Sequence, residues 1–228
     1  MARVGGRPAQ IELEDIIAAG REVGLRELSM SAVAAKLGVS SAALYRHVDS
    51  RWGLELLVGE DILQELTIED DPALATVPHL LSLATQLRAF ILNHPGLAAY
   101  LQTLFPRGEG GRELLAAATR ALGHRGYAPD AAIVLCSAVA SLAIGFAAAE
   151  EAQLERAAEL DEQRASALDE ILADPRLAAA HLALPEVDTG EYVRMWLGAA
   201  IQGLVAAAPP GRALAEVRAA LIAAGEGK

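Results

Sequence analysis

Between Leu28 and Leu54 the chain runs LSMSAVAAKLGVSSAALYRHVDSRWGL, and this stretch constrains the fold more than any other. Met30, Val33, Ala34 and Leu37 recur at i, i+3, i+4 and i+7, which gathers them on one stripe of a short helix, with Ser29 placed to cap its amino end. Gly38 ends that helix, because glycine takes the left-handed backbone conformation without a Cβ clash. Val39 can then plug the angle between two helices, and Ser40 can cap the second. There Leu44 and Val48 are four apart and face inward, leaving Ser41, Ala42, Ala43, Arg46 and His47 on or near the outer face. Eight helical residues span about 12 Å, enough to lie in one DNA major groove. Arg46 can pair with guanine through both guanidinium arms, and Ala42 and Ala43 can pack on thymine methyls, with Ser41 alongside.

The same periodicity organises the rest. A first helix is predicted over Leu13–Val23, with Leu13, Ile16, Ile17 and Val23 inward and Gly24 as its stop. Leu25 and Leu28 pack the corner, so three helices close a small core over residues 9–50. Leu54, Leu57, Val58, Ile62 and Leu66 carry a fourth helix away from it, the natural lever between this head and the remainder of the chain. The acidic, proline-containing stretch Thr67–Pro78 breaks the pattern. Later segments again show helical spacing, and none shows strand alternation, so the fold class is all-α, with a bundle of about five to seven helices after the head.

The run GVSSAALYRHVDSRWGL resembles the helix-turn-helix signature of the TetR family of bacterial transcriptional regulators, from the Gly-Val-Ser turn through Leu44-Tyr45-x-His47 to the basic-x-x-Leu start of the next helix. Arg51 stands where the family usually has lysine and Val48 where it often has phenylalanine; charge and apolar character are kept, although arginine and lysine differ in geometry. The resemblance implies a DNA-binding domain over residues 1–52 and an antiparallel helical ligand-binding and dimerisation domain over 53–228. It implies that Ser29, Tyr45, His47 and Arg51 meet phosphates, with Ser40 at the turn and Ser31 on the outer side of the preceding helix as further contacts. It also implies a homodimer. That has an independent motive, since one recognition helix reads few base pairs and a twofold pair matches a palindromic double-stranded DNA operator with half-sites about 34–36 Å apart.

Charge tests this reading. The chain carries −11 overall, which argues against a nucleic-acid partner until it is divided. Residues 1–54 hold 7 Lys and Arg against 6 Asp and Glu, and residues 55–228 hold 12 against 24, giving +1 and −12. A near-neutral head on an acidic body can dock through a few placed cations while the body is repelled. Arg3 and Arg7 are either a solvated tail or an arm for an adjacent minor groove.

In the body, Ala131–Ala149 is nineteen residues without a charge. Its alanine, serine and glycine content and the lack of cationic flanks favour a helix buried on both sides over a membrane span. In Thr189–Ala207, the residues Val193, Trp196, Leu197, Ala200, Ile201 and Leu204 form one stripe. Tyr100, Thr103, Leu104, Phe105, Ser137, Ser141, Phe146 and Trp196 are candidates to line a small-molecule cavity, each also readable as plain core. Alignment with the tetracycline-sensing branch puts Tyr100 where that branch has a metal-binding histidine, which implies a largely apolar effector. The five histidines lack HExxH spacing, and His79 and His94 read as a cap and a surface group. With no phosphate-binding glycine loop, no metal, cofactor or enzyme activity is expected. Cys136 is the single cysteine, so no internal disulfide is possible; with no leader expected, the cytoplasm is the predicted compartment. The competing reading is a helical small-molecule-binding protein or carrier whose amino-terminal module binds protein.

Overall fold

The computed structural model describes residues 11–103 and 108–225, and every regular element among them is an α-helix. Arg3 and Arg7 of the arm, and Leu104 and Phe105 of the candidate cavity, lie outside the described residues. Backbone contacts divide the chain into two compact units, Met1–Thr67 with His94–Glu113, and Ile68–Asn93 with Leu114–Lys228.

The first unit holds α1 (Leu13–Val23), α2 (Met30–Leu37), α3 (Ser41–Leu44), α4 (Arg51–Leu63), α6 (Leu97–Thr103) and the first turn of α7 (Glu109–Gly123). Serines start three successive helices. The hydroxyl of Ser29 accepts from the Ala32 amide at 3.1 Å, that of Ser40 from Ala43 at 3.3 Å and that of Ser50 from Gly53 at 3.1 Å, each satisfying a donor the helix cannot. Gly38 sits at φ +68° and its amide closes back on the carbonyls of Ala34 and Ala35, the left-handed cap the sequence predicts. Ile16, Leu28, Val33, Leu44, Leu54 and Val58 are buried in the core. Leu13, expected inward, is exposed, because it opens α1 ahead of the turn that meets α2 and α4. The fourth helix stops at Leu63, so Leu66 is buried from the following turn rather than from the helix.

The second unit holds α5 (Thr76–Leu92), the rest of α7, α8 (Pro129–Glu155), α9 (Ala157–Ala173), α10 (Ala178–Leu182), α11 (Thr189–Ala207) and α12 (Leu214–Gly225). Pro129 opens α8 at a position where its missing amide costs nothing. Helices α5, α8 and α11 pack on one another around Leu80, Ala84, Leu135, Val139, Leu197 and Ile201. Arg88 of α5 holds Glu150 of α8 through both guanidinium arms, at 2.6 and 2.5 Å. By length and composition α8 could cross a membrane, yet its face through Ala132, Cys136, Val139, Ala143 and Ala147 is buried within the unit. On another side Ile133 and Val134 are exposed. Burial on both sides, expected from sequence, is therefore not reached within one subunit.

One polar feature differs from expectation. His79 is 2% exposed within α5 rather than a cap: its Nδ1 lies 2.9 Å from Asp70, and its buried Nε2 has no partner among the described residues. Burial, reinforced by the Arg125 guanidinium, holds the imidazole below its ordinary pKa. Arg125 in turn grips Asp70 at 2.7 Å and donates to the carbonyls of Leu74, Asp71 and Ala121, stapling the α4–α5 connection to the end of α7.

Candidate nucleic-acid interface

The regular part of the recognition element is short. Helix α3 spans four residues, after which tighter bonds, from Arg46 N–H to the Ala43 carbonyl and from His47 N–H to that of Leu44, carry the chain to Val48. The eight-residue helix expected from sequence is thus one α-helical turn followed by a tightened one, cut off where Ser50 begins α4. This changes the outer face. Ala43 is buried beside Leu44 in the angle with α2 and cannot present its methyl to a base, whereas Ala42, Tyr45, Arg46 and His47 are exposed and Ser41 is half-buried. Tyr45 stands 53% exposed, far from a core aromatic.

Around this face Ser40 and Ser31 are exposed, and Ser29, half-buried, lies with its hydroxyl 3.2 Å from that of Ser31. Cations of the head are already engaged: Arg51 Nε donates to Glu55 at 2.7 Å, Lys36 sits 2.5 Å from Glu22, and Arg21 pairs with Asp61 and Glu65. Among the described residues Arg46 has no ion-pair partner. A residue that the helical pattern does not single out also belongs to this surface: Trp52, next to Arg51, is 55% exposed. The signal for it is an indole in the first turn of α4, at a position where the apolar stripe of Leu54 and Val58 makes no use of it.

The described candidate cavity residues are divided between the two units. Tyr100 is buried in the first unit, where its hydroxyl donates to Glu60 Oε1 at 3.1 Å, and Thr103 is exposed. Ser137, Ser141, Phe146 and Trp196 belong to the second unit. Ser141 is exposed and lines a shallow open groove with Ala138, Leu142, Ala200, Gly203 and Leu204, and its hydroxyl is turned back to the Ser137 carbonyl at 2.8 Å. Trp196 is 50% exposed and meets Tyr192 edge to face. The single stripe expected on α11 is two: Val193, Leu197 and Ile201 face the core, while Trp196 lies one step round the helix on an open side. Among the described residues no three His, Cys, Asp or Glu side chains are grouped to hold a metal ion.

Three short helices with the second helix of a helix-turn-helix facing outward are an arrangement that can place that helix in a DNA groove. Residues 16–54 match the family model of bacterial regulatory proteins, tetR family. ActR from Streptomyces coelicolor in complex with actinorhodin is 23% identical, with a TM-score of 0.74 over 90% of this chain and 100% of that one. TetR-Q116A from Acinetobacter baumannii AYE in complex with minocycline is 20% identical, with a TM-score of 0.58 over 86% and 97%. BioQ with its double-stranded DNA operator is 24% identical, with a TM-score of 0.54 over 66% and 95%. No curated protein matches the sequence. Residues 16–54 thus match the helix-turn-helix model of that family, and the chain carries the fold of these solved structures.

Proposed function

We propose that this protein is a ligand-responsive transcriptional regulator, acting as a repressor, that binds a palindromic operator as a homodimer and is released by a small, largely apolar effector. The observation that carries the reading is the outward recognition turn, with Ala42, Tyr45, Arg46 and His47 exposed on a head that matches the family model. Arg46 and Ala42 read base edges with Ser41, and Ser29, Ser31, Ser40, Tyr45, His47 and Arg51 position the head on phosphates. DNA reading falls to residues 1–52, and effector binding and dimerisation fall to 53–228.

Dimerisation is supported by the uncovered apolar surface on α8 and α11, where Ile133, Val134, Met195 and Trp196 are exposed in the single subunit. Effector binding is supported by ActR with actinorhodin and TetR with minocycline, two proteins of this fold in complex with small molecules. The effector and the operator then prefer different spacings of the paired heads, and each weakens the other by the same coupling free energy, of order 1–3 kcal/mol. Work on chromosomal DNA and a lone, buried cysteine both suit the cytoplasm.

The test is binding of the purified protein to the DNA flanking its own gene, measured across a salt series. A protected palindrome with salt-dependent affinity is expected. Binding that neither discriminates that DNA from scrambled sequence nor falls with salt would refute the reading and favour the carrier.

A further inference from the structure

Glu60, on α4, is a carboxylate only 7% exposed, at a position that no motif in the chain marks. Its two oxygens are shared between two other helices of the same unit. Oε1 accepts from the hydroxyl of Tyr100 on α6 at 3.1 Å, and Oε2 accepts from the amide of Gly111 in the first turn of α7 at 3.2 Å. Gly111 is the third residue of α7, a position whose amide has no partner inside the helix and is ordinarily capped by the side chain of the residue before the helix. Here that residue is Gly108, whose carbonyl accepts the Arg112 amide at 3.3 Å and which has no side chain to offer. A Cβ at Gly108 would fall on the Glu60 carboxyl group, so the cap site is filled from α4. The companion contact is as close, since a Cβ at Gly59 would lie 2.5 Å from Tyr100 Cζ. The glycines thus clear the space in which α4, α6 and α7 meet around one buried carboxylate.

We propose that Glu60 is a clamp, a positioning residue that caps α7 from α4 and ties Tyr100 of α6 to the same point, so that α6 and the first turn of α7 move with the lever helix and the head it carries. The inference rests on the regulator reading for its consequence in DNA binding. Without the clamp α4 samples more head positions, a smaller fraction of molecules matches the operator, and apparent affinity falls by that fraction.

Tyr100→Phe, which removes only the hydroxyl, and Glu60→Gln, which leaves one oxygen for two donors, test the clamp in the full-length protein. Amide hydrogen exchange should quicken roughly 3- to 30-fold in peptides covering 97–103 and 109–113, the range that loss of a helix cap implies, with α1 to α3 unchanged. Affinity for the DNA flanking the gene should fall about two- to tenfold, the worth of one hydrogen bond. Unchanged exchange at α6 and α7 in both variants would overturn the clamp. So would unchanged DNA affinity despite faster exchange, or a loss of protection in α1 to α3 as large as that in α6 and α7. A wild type that binds no DNA would instead sink the regulator reading, with the exchange data still deciding whether Glu60 holds the three helices together.

Discussion

Arg46 and Arg51 are five residues apart, and the structure gives them opposite surroundings, so their removal should cause different losses. Arg46 is exposed on the recognition turn, and no ion pair holds it among the described residues. Its replacement by alanine should leave folding stability within about 0.5 kcal/mol of the wild type. A bidentate arginine–guanine pair is worth about 1–3 kcal/mol of discrimination, so Arg46→Ala should cut operator affinity roughly 5- to 150-fold for each half-site and leave binding to scrambled DNA nearly intact. Arg51 is 67% exposed at the side chain and paired with Glu55, a carboxylate that is itself only 19% exposed. An i, i+4 pair of that exposure contributes about 0.3–0.5 kcal/mol, so Arg51→Ala also changes stability little. Its loss acts through phosphate. One contact per head, two per dimer, should lower the salt slope by about 1.8 and weaken operator and scrambled DNA alike. The released Glu55 adds an unpaired negative charge near the backbone, which deepens the loss at low salt.

Fluorescence anisotropy on operator and scrambled duplexes from low to moderate salt, with thermal melts of each variant, separates the two behaviours. Arg46→Ala should change the ratio of the two affinities, and Arg51→Ala should change the slope. If both variants lose the same factor on both duplexes, base reading by Arg46 is refuted. If Arg51→Ala leaves the slope untouched, its phosphate role fails.

His79 has its ordinary pKa when unfolded and a depressed one when folded, so the unfolded state takes up the proton first as pH falls. The stability it contributes is complete above the unfolded value near 6.5 and lost as pH drops through the folded value; melts between pH 8 and 5 should decline, and His79→Phe should flatten that decline. Arg125→Ala strips the staple from Asp70 and three carbonyls and should cost about 2–3 kcal/mol, a fall in Tm of roughly 5–10 °C, against a negligible change for Arg176→Ala on the surface. Cys136 is buried and its thiol is pushed up to about 11, so a thiol reagent at neutral pH should label it only at the rate of unfolding; prompt labelling of native protein would contradict its burial.

What the sequence made legible were features whose causes lie within a few residues. The bounds of α1 and α11 match the predicted segments, and the caps of Ser29, Ser40 and Gly38 are where local backbone chemistry requires them. Ala43 departs from its expected face because uniform helical phase does not hold through a turn that tightens after Leu44, and a change of pitch rotates neighbouring side chains. Glu60 and His79 were illegible for another reason. By pattern Glu60 looks like a surface residue and His79 like a cap, and what allows their burial comes from far along the chain: Tyr100 and Gly111 for Glu60, and Arg125, gripping the Asp70 that His79 meets. Trp196 marks a third limit, because an apolar stripe records that a face must be covered without recording whether the cover is the same subunit or another.

That limit bears on how an acidic protein can read DNA at all. Arg21 pairs with Asp61 and Glu65, Lys36 with Glu22 and Arg51 with Glu55, so among the described residues most of the head's Lys and Arg are internally balanced before DNA arrives. Such a head has little attraction for phosphate in general, and a single subunit offers too few free cations to hold a duplex against the −12 of residues 55–228. In the proposed homodimer, affinity comes from two weakly charged heads placed at once on matched half-sites, where the second engagement is effectively intramolecular. Selectivity for the operator, on this account, depends less on the strength of any one contact than on whether the uncovered faces of α8 and α11 bring two heads to the right spacing. On the proposed function, an effector that alters that spacing is enough to release them.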